Sequence, residues 1–139
     1  MSDADEVTFR VVQVADIAFD FFATTSTLVL REAEGSHREL IIPIALADAT
    51  AIHQAWKHLV GRRPTTSELV TFILQELQAD VIAARIVRLD AGVFYAELDL
   101  MTPKGRRVFD CRASDAIALA LRQAVAAPML VAEDVFVQD

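Results

Sequence analysis

Alternation of apolar and polar residues predicts most of the strands in this chain. In the clearest case, residues 93–100, Phe94, Ala96 and Leu98 lie on one face and polar side chains on the other. Residues 16–26 combine three phenylalanines with a threonine-rich run, and we interpret them as a strand followed by a loop, with its edges left open. The same alternation, with many β-branched residues, predicts further strands at 7–14, 27–32, 38–44, 81–89, 106–111 and 129–131.

Apolar residues spaced three and four apart predict three helices, each opened by a residue that suits an N-cap. The helices begin near Asp48, Thr65 and Ser114, and the first two run to about residues 60 and 78. Thr65 with Glu68 forms a capping-box pattern. The predicted core stripes are Ile52, Ala55, Trp56 and Leu59 in the first helix, Leu69, Phe72, Ile73 and Leu77 in the second, and Ile117, Leu121 and Ala124 in the third.

These elements predict an α+β fold in which about three helices pack on an antiparallel-rich mixed sheet. Turn residues join 27–32 to 38–44 and 93–100 to 106–111, so hairpins dominate the strand order. The length suits one domain over residues 1–139, and the polar, acidic residues 1–6 predict a flexible terminus.

Composition narrows the class of protein. Hydrophobic residues make up 54% of the chain, which excludes a disordered protein. No apolar run reaches the length of a membrane span, and no secretory signal pattern opens the chain, so we expect a cytoplasmic protein without membrane contact. The net charge of −7 disfavours a nucleic-acid binder, although a nuclease can be acidic overall if its site gathers metal ions or arginines.

The single cysteine, Cys111, excludes an internal disulfide and a cysteine-based zinc cluster. It could act as a nucleophile only if the fold brought a histidine to it, and a small core residue is the favoured interpretation. Two other chemistries are excluded by pattern. No Gly-x-Ser-x-Gly sequence surrounds Ser114, and the four scattered glycines form no phosphate-binding loop.

The junction of a strand and a helix at residues 110–122 is the first candidate site. Arg112 precedes the predicted helix start, and Ser114 and Asp115 lie in its first turn. Backbone N–H groups and a guanidinium therefore meet where a phosphate can be held. The alternative is an ordinary capped helix with a solvated arginine.

The second candidate site is the polar face of the hairpin 93–111. Pairing apolar with apolar positions places Glu97, Asp99 and Asp110 together on that face. Three neighbouring carboxylates could hold Mg²⁺ and leave water positions open. The alternative is a solvated face on which Arg106 pairs with the acids.

Residues 110–122 also carry a resemblance to a known family. They read Asp-Cys-Arg-Ala-Ser-Asp-Ala-Ile-Ala-Leu-Ala-Leu-Arg, which resembles the Asp-x-Arg-Pro-Ser-Asp-Ala-Ile-Ala-Leu-Ala-x-Arg signature of the bifunctional nuclease domain family. Residues 63–69 and 94–98 are similar to two further family blocks in the same order, and the resemblance covers about 28–136. The chain is identified as a divergent bacterial member. Ser67 replaces a histidine of the family, and residues 43–48 lack its tryptophan and glycine.

The resemblance implies a metal-dependent nuclease of broad specificity that cleaves DNA and RNA with Mg²⁺ or Mn²⁺. In that interpretation Arg112 and Arg63 hold phosphate, Ser114 offers a hydrogen bond, and Asp115 or Glu68 positions metal or water. The alternative, supported by the acidic charge and the missing histidine, is a non-catalytic module that binds a protein or small ligand. Under either function we expect a homodimer, because residues 7–22 are more apolar than a small sheet easily covers.

Overall fold

Seven strands form one mixed sheet in a computed structural model that describes residues 7–137. The terminus predicted at 1–6 lies outside the described residues. Every pair of neighbouring strands is antiparallel except β4 and β7, which are parallel. The strands are β1 Phe9–Asp20, β2 Thr25–Glu32, β3 Glu39–Ala45, β4 Asp80–Asp90, β5 Val93–Thr102, β6 Gly105–Arg112 and β7 Met129–Ala132, and their order in the sheet is β3-β2-β1-β7-β4-β5-β6.

Helices pack on one face of this sheet and enclose the core. The helices are α1 Leu46–Trp56, α2 Thr66–Glu76, α3 Ala113–Arg122 and the short α4 Glu133–Phe136. Leu28 and Leu30 of β2, Ile52 of α1 and Ile117 of α3 are almost completely buried in one cluster. The α+β fold with an antiparallel-rich mixed sheet and three longer helices is therefore confirmed. No helix within residues 7–137 is both long and apolar enough to span a bilayer.

Strand β1 is longer than the alternation of the sequence predicted. It runs from Phe9 to Asp20, and its register against β2 shifts between Val14 and Asp16. Val12 and Ile17 are both buried although their positions differ by five, and residues on one face of a regular strand differ by an even number. A β-bulge explains this, because one extra residue moves the following side chains to the opposite face. The bulge breaks the two-residue period, which is why 16–26 could not be assigned with clear edges.

The predicted core stripe of α2 is wrong. Leu69, Phe72, Ile73 and Leu77 are each about half exposed, between 48% and 63%. Two other apolar residues, Val70 and Leu74, pack against the cluster of Leu98, Leu100 and Leu119 instead.

Polar contacts explain this orientation of α2. Glu68 and Thr71 are buried on the inner side of the helix. The Glu68 carboxylate accepts hydrogen bonds from Thr65 and lies 3.7 Å from Arg122 of α3. These contacts hold the polar side of the first turn against α3 and turn the apolar stripe outward.

Candidate functional site

The first turns of α1, α2 and α3 open onto one cavity of about 610 Å³. This volume lies within the usual range for pockets that hold a small ligand. Polar side chains from α1, α2 and α3 line the cavity together with five apolar residues. The polar lining comprises Asp48, Thr50 and Gln54 of α1, Thr65, Thr66 and Ser67 of α2, and Arg112, Ser114 and Asp115 of α3.

Neither α1 nor α3 has a side-chain cap at its start. The N-cap residues are Ala45 and Arg112, and no side chain accepts a hydrogen bond from the first turn of either helix. Asp48 and Ser114, which were predicted as caps, lie two and one residues inside their helices, so both cap predictions are wrong. Strands β3 and β6 run directly into α1 and α3, so each helix begins earlier in the sequence than predicted. The first N–H groups of an uncapped helix have no partner within the helix, and they attract anions.

Arg112 connects the two uncapped helix starts. Its Nε and Nη2 atoms donate to the Asp115 carboxylate at 2.9 and 3.1 Å, and its Nη1 and Nη2 atoms donate to the Asp48 carboxylate at 3.1 and 3.2 Å. The hydrogen bond to Asp115, together with the charges of Asp115 and Asp48, raises the pKa of Arg112 above its ordinary value. The guanidinium is therefore always charged, yet 64% of the side chain remains exposed to the cavity and solvent.

Helix α2 begins differently, because the predicted capping box is present. The Thr65 hydroxyl accepts from the Glu68 N–H, and the Glu68 carboxylate accepts from the Thr65 N–H. The backbone hydrogen bond from Thr65 is the main reason that the pKa of Glu68 is lowered. Ser67, where the resemblance of residues 63–69 implies a histidine, lines the cavity. Glu68 itself is buried beneath the cavity and supports the first turn of α2.

Arg122 supports the same region from the far end of α3. Its Nη1 atom donates to the carbonyl of Leu59 at 2.7 Å, and its Nη2 atom lies 3.7 Å from the Glu68 carboxylate. The side chain is only 6% exposed. One buried guanidinium therefore joins the end of α3 to the chain between α1 and α2.

Arg63 is brought near the cavity but not into it. It lies in the exposed loop that leads into Thr65, next to Arg62, and it is not a lining residue. Neither arginine makes an ion pair with any residue between 7 and 137. Two arginines without ion pairs among the described residues therefore lie close in sequence to Thr65, which lines the cavity.

The carboxylates of the hairpin lie on the other face of the sheet. The predicted register is confirmed, with Glu97 opposite Asp110 and Leu98 opposite Phe109. Arg85 and Arg106 donate to Asp99 at 2.7–2.8 Å, and the hydrogen bond from Arg106 is the main cause that lowers the pKa of Asp99. Across residues 7–137, no three His, Cys, Asp or Glu side chains are grouped closely enough to hold a metal ion. A metal role for Glu97, Asp99 and Asp110 therefore gains no support from their geometry.

Cys111 lies on the helix-facing side of β6 and packs against the core. Burial raises the pKa of its thiol to about 11. Because the thiolate is the nucleophilic form, Cys111 is unsuited to covalent catalysis at neutral pH.

Sequence reasoning missed Asp48 and Thr65 as lining residues of the cavity. Both were assigned only as helix caps. The usable signal was that each stands at a predicted helix start, as Ser114 does, and that acidic side chains there attract a cation such as Arg112. The sequence pattern does not show that the starts of the three helices meet at one cavity.

Comparisons with known proteins support the family resemblance over most of the chain. A family model described as the bifunctional nuclease domain matches residues 28–139. Two uncharacterized proteins of Mycobacterium tuberculosis, Rv1829 and MT1877, are similar to this chain. Each is 35% identical over 127 residues, which is 91% of this chain and 74% of the relative.

Proposed function

This chain belongs to the bifunctional nuclease domain family, and from that premise we propose that it hydrolyses phosphodiester bonds of DNA and RNA in the cavity between α1, α2 and α3. The observation that carries the proposal is the convergence of two uncapped helix starts on the exposed guanidinium of Arg112. Both features attract a phosphate anion, and neither depends on the identity of a base. Broad specificity follows, because the phosphate backbone is common to DNA and RNA.

Phosphate binding is the role of Arg112 and of the first turns of α1 and α3. An arginine presents several N–H donors in one plane and can bind two phosphate oxygens at once. A phosphate in the cavity competes with Asp48 and Asp115 for those donors. The Ser114 hydroxyl, which lines the cavity, supplies a further hydrogen bond.

The distribution of arginines makes an acidic chain compatible with a nucleic-acid substrate. The net charge of −7 repels polyanions at long range. Arg62 and Arg63 lie two to three residues before Thr65, which lines the cavity, and in this proposal they supply positive charge near the phosphate that is cut. We assign them to the neighbouring phosphates of the strand, which makes binding weak and strongly dependent on salt.

A divalent cation fits the cavity better than it fits the hairpin face. Mg²⁺ is typically bound by one or two protein carboxylates together with water and substrate phosphates. Asp48 and Asp115 offer two carboxylates beside the proposed phosphate position and share one exposed guanidinium, whereas the Asp99 carboxylate is buried and is bound by two arginines. When bound, the metal would neutralise charge that develops on the phosphate.

The protein's own carboxylates also orient the attacking water. In hydrolysis the water oxygen forms a bond to phosphorus while the bond to the leaving sugar oxygen breaks. Asp115 has the greater exposure of the two cavity carboxylates, with 52% of the side chain open compared with 22% for Asp48. We assign Asp115 to accept the hydrogen bond from water. Ser67 offers a hydroxyl where the resemblance implies a histidine, so it cannot act as a general base at neutral pH.

The test is cleavage of single- and double-stranded DNA and RNA by purified protein with Mg²⁺ or Mn²⁺, with and without a chelator. We expect metal-dependent cleavage, and we expect Arg112→Ala to slow it by about 100-fold or more, as loss of a transition-state donor commonly does. Stability should change by less than about 1 kcal/mol, because an exposed ion pair contributes little.

Arg31→Ala is the matched control. Arg31 is also an exposed arginine, paired with Glu39 far from the cavity, so its removal should leave cleavage unchanged. Equal cleavage by folded Arg112→Ala and wild-type protein would remove the assigned site. Neither cleavage nor salt-dependent binding of DNA or RNA would instead support the alternative, a non-catalytic module that binds a protein or small ligand.

A further inference from the structure

Strand β6 leaves one long edge of the sheet unpaired within residues 7–137. It spans eight residues, Gly105–Arg112, and pairs with β5 through an uninterrupted register. No proline or bulge interrupts it. Strand β3, at the opposite edge, contains Pro43, which blocks regular pairing there. An unprotected edge is a template on which another strand can pair.

The hairpin geometry determines which backbone groups face that edge. Thr102 and Gly105 close a two-residue turn as directly opposed partners, so they exchange both hydrogen bonds. Alternate residues therefore bond to β5, and the residues between them point outward. The outward-facing residues are Arg106, Val108 and Asp110. In agreement, the Arg106 carbonyl accepts a hydrogen bond from the exposed guanidinium of Arg107 at 2.9 Å.

We propose that a second copy of this chain binds at β6 and extends the sheet across a two-fold axis at Val108. In this antiparallel register Arg106 lies opposite Asp110 of the second copy, and Asp110 lies opposite Arg106, so two opposite-charge pairs form. A register shifted by two residues, centred on Phe109, would place Arg106 opposite Arg112 and oppose two cations. The charge pattern of β6 is therefore complementary to a second copy of itself, and it favours the register centred on Val108 over the one centred on Phe109.

The charged groups are available for these pairs. Arg106 uses Nε and Nη2 for Asp99, so Nη1 can reach the edge. Asp110 is exposed and makes no ion pair with any residue between 7 and 137. On the helix side of the sheet, Arg107 lies opposite Phe109 of the second copy, which allows a cation–π contact.

The exposed stripe of α2 fits the same interface. Val70 and Leu74 pack against the cluster of Leu98, Leu100 and Leu119, so α2 lies on the helix side of the sheet, near β5, which is the neighbour of β6. A two-fold axis normal to the sheet keeps both copies of α2 on that side and brings them together over the paired strands. The stripe then packs against its copy, and Phe109, which is 53% exposed, is covered beneath them. The stripe comprises Leu69, Phe72, Ile73 and Leu77.

The experiment is sedimentation equilibrium of the full chain over a range of concentrations. We expect twice the 15.3 kDa chain mass at micromolar concentration. Phe72→Lys should weaken the dimer by about 100-fold or more, because the change occurs on both copies of a central apolar contact. Asp110→Lys should weaken it by about tenfold, since it replaces two attractive pairs with two repulsive ones. Circular dichroism of each variant serves as the control for folding.

Ile41→Lys on β3 is the control. Ile41 is 58% exposed and lies on the opposite edge strand, so this change should leave the dimer intact. A second readout is amide hydrogen exchange. In the dimer the N–H groups of Arg106, Val108 and Asp110 should be protected, and they should become exposed in Phe72→Lys, whereas Arg107 and Phe109 stay protected in both. A monomer at micromolar concentration would overturn the proposal. A dimer broken by Ile41→Lys but not by Phe72→Lys would do the same.

Discussion

Two clusters of arginine and carboxylate side chains form the same kind of ion pair but differ in which partner is exposed to solvent. In the β2 cluster, Glu32 is 1% exposed and accepts hydrogen bonds from Arg10 and Arg38, and Arg38 also binds Glu133. In the cavity cluster, Arg112 is 64% exposed and binds Asp48 and Asp115.

The difference lies in which partner is buried. In the β2 cluster the carboxylate is enclosed and its hydrogen-bonding capacity is filled by the protein, so no ligand can reach it. In the cavity cluster the guanidinium faces an open volume beside uncapped helix starts. Ion pairing alone therefore does not mark a functional site. A buried carboxylate whose hydrogen bonds are all made within the protein indicates a structural role. An exposed guanidinium that faces a cavity beside uncapped helix N–H groups indicates a binding site.

Glu32→Gln should produce the largest change in stability. It removes the charge that compensates Arg10 and Arg38 in a buried position, where loss of one partner is strongly destabilising. We expect a fall in Tm of about 10 °C or more, measured by differential scanning calorimetry.

The control for this change is Glu39→Gln, which breaks the exposed pair with Arg31 and should shift Tm by about a degree or two. Cleavage by the folded fraction of Glu32→Gln should match that of the wild type, because Glu32 lies outside the cavity. A Tm equal to that of the wild type would contradict the structural role of the β2 cluster.

The pH dependence of stability tests the role of the Glu32 charge in the β2 cluster. Hydrogen bonds from Arg38 are the main cause that lowers the pKa of Glu32 from 4.5 to about 2. Since the folded-state pKa is depressed, the contribution of Glu32 is complete above pH 4.5 and is lost as pH falls toward 2. Chemical denaturation should show the difference between wild type and Glu32→Gln shrinking across that range. A difference that stays constant from pH 5 to 2 would show that the charge of Glu32 is not responsible.

Asp115→Asn should have the smallest effect on stability. It keeps the shape of the side chain and an oxygen for Arg112, and it loses the favourable interaction of a negative charge with the start of α3, about 0.3–1 kcal/mol. The proposed role in orienting water predicts a much larger loss, visible as a reduced cleavage rate in a protein that melts almost normally. Parallel measurements of melting and cleavage on one preparation separate the two effects. Unchanged turnover would remove Asp115 from the proposed mechanism.

Local patterns in the sequence determined the features that depend on neighbouring residues. The alternation in 93–100 and 106–111 predicted the β5–β6 register, because a slip of one residue would expose the whole apolar face. Thr65 and Glu68 predicted a capping box, since both partners lie in one helical turn. The motif at 110–122 pointed to the α3 start as a phosphate-binding position, and this start is one wall of the cavity.

Only the tertiary structure decided which of these features meet. Asp48 and Arg112 are 64 residues apart in sequence, and packing of α1 against α3 joins them. The sequence also offered a second candidate site at Glu97, Asp99 and Asp110. In the structure, Arg85 from a neighbouring strand pairs with Asp99 on the opposite face of the sheet. The outward turn of the α2 stripe likewise depends on the distant Arg122. Periodicity specifies the side of an element that is apolar, whereas long-range contacts decide what that side faces, because their energies depend on distances that no local pattern contains.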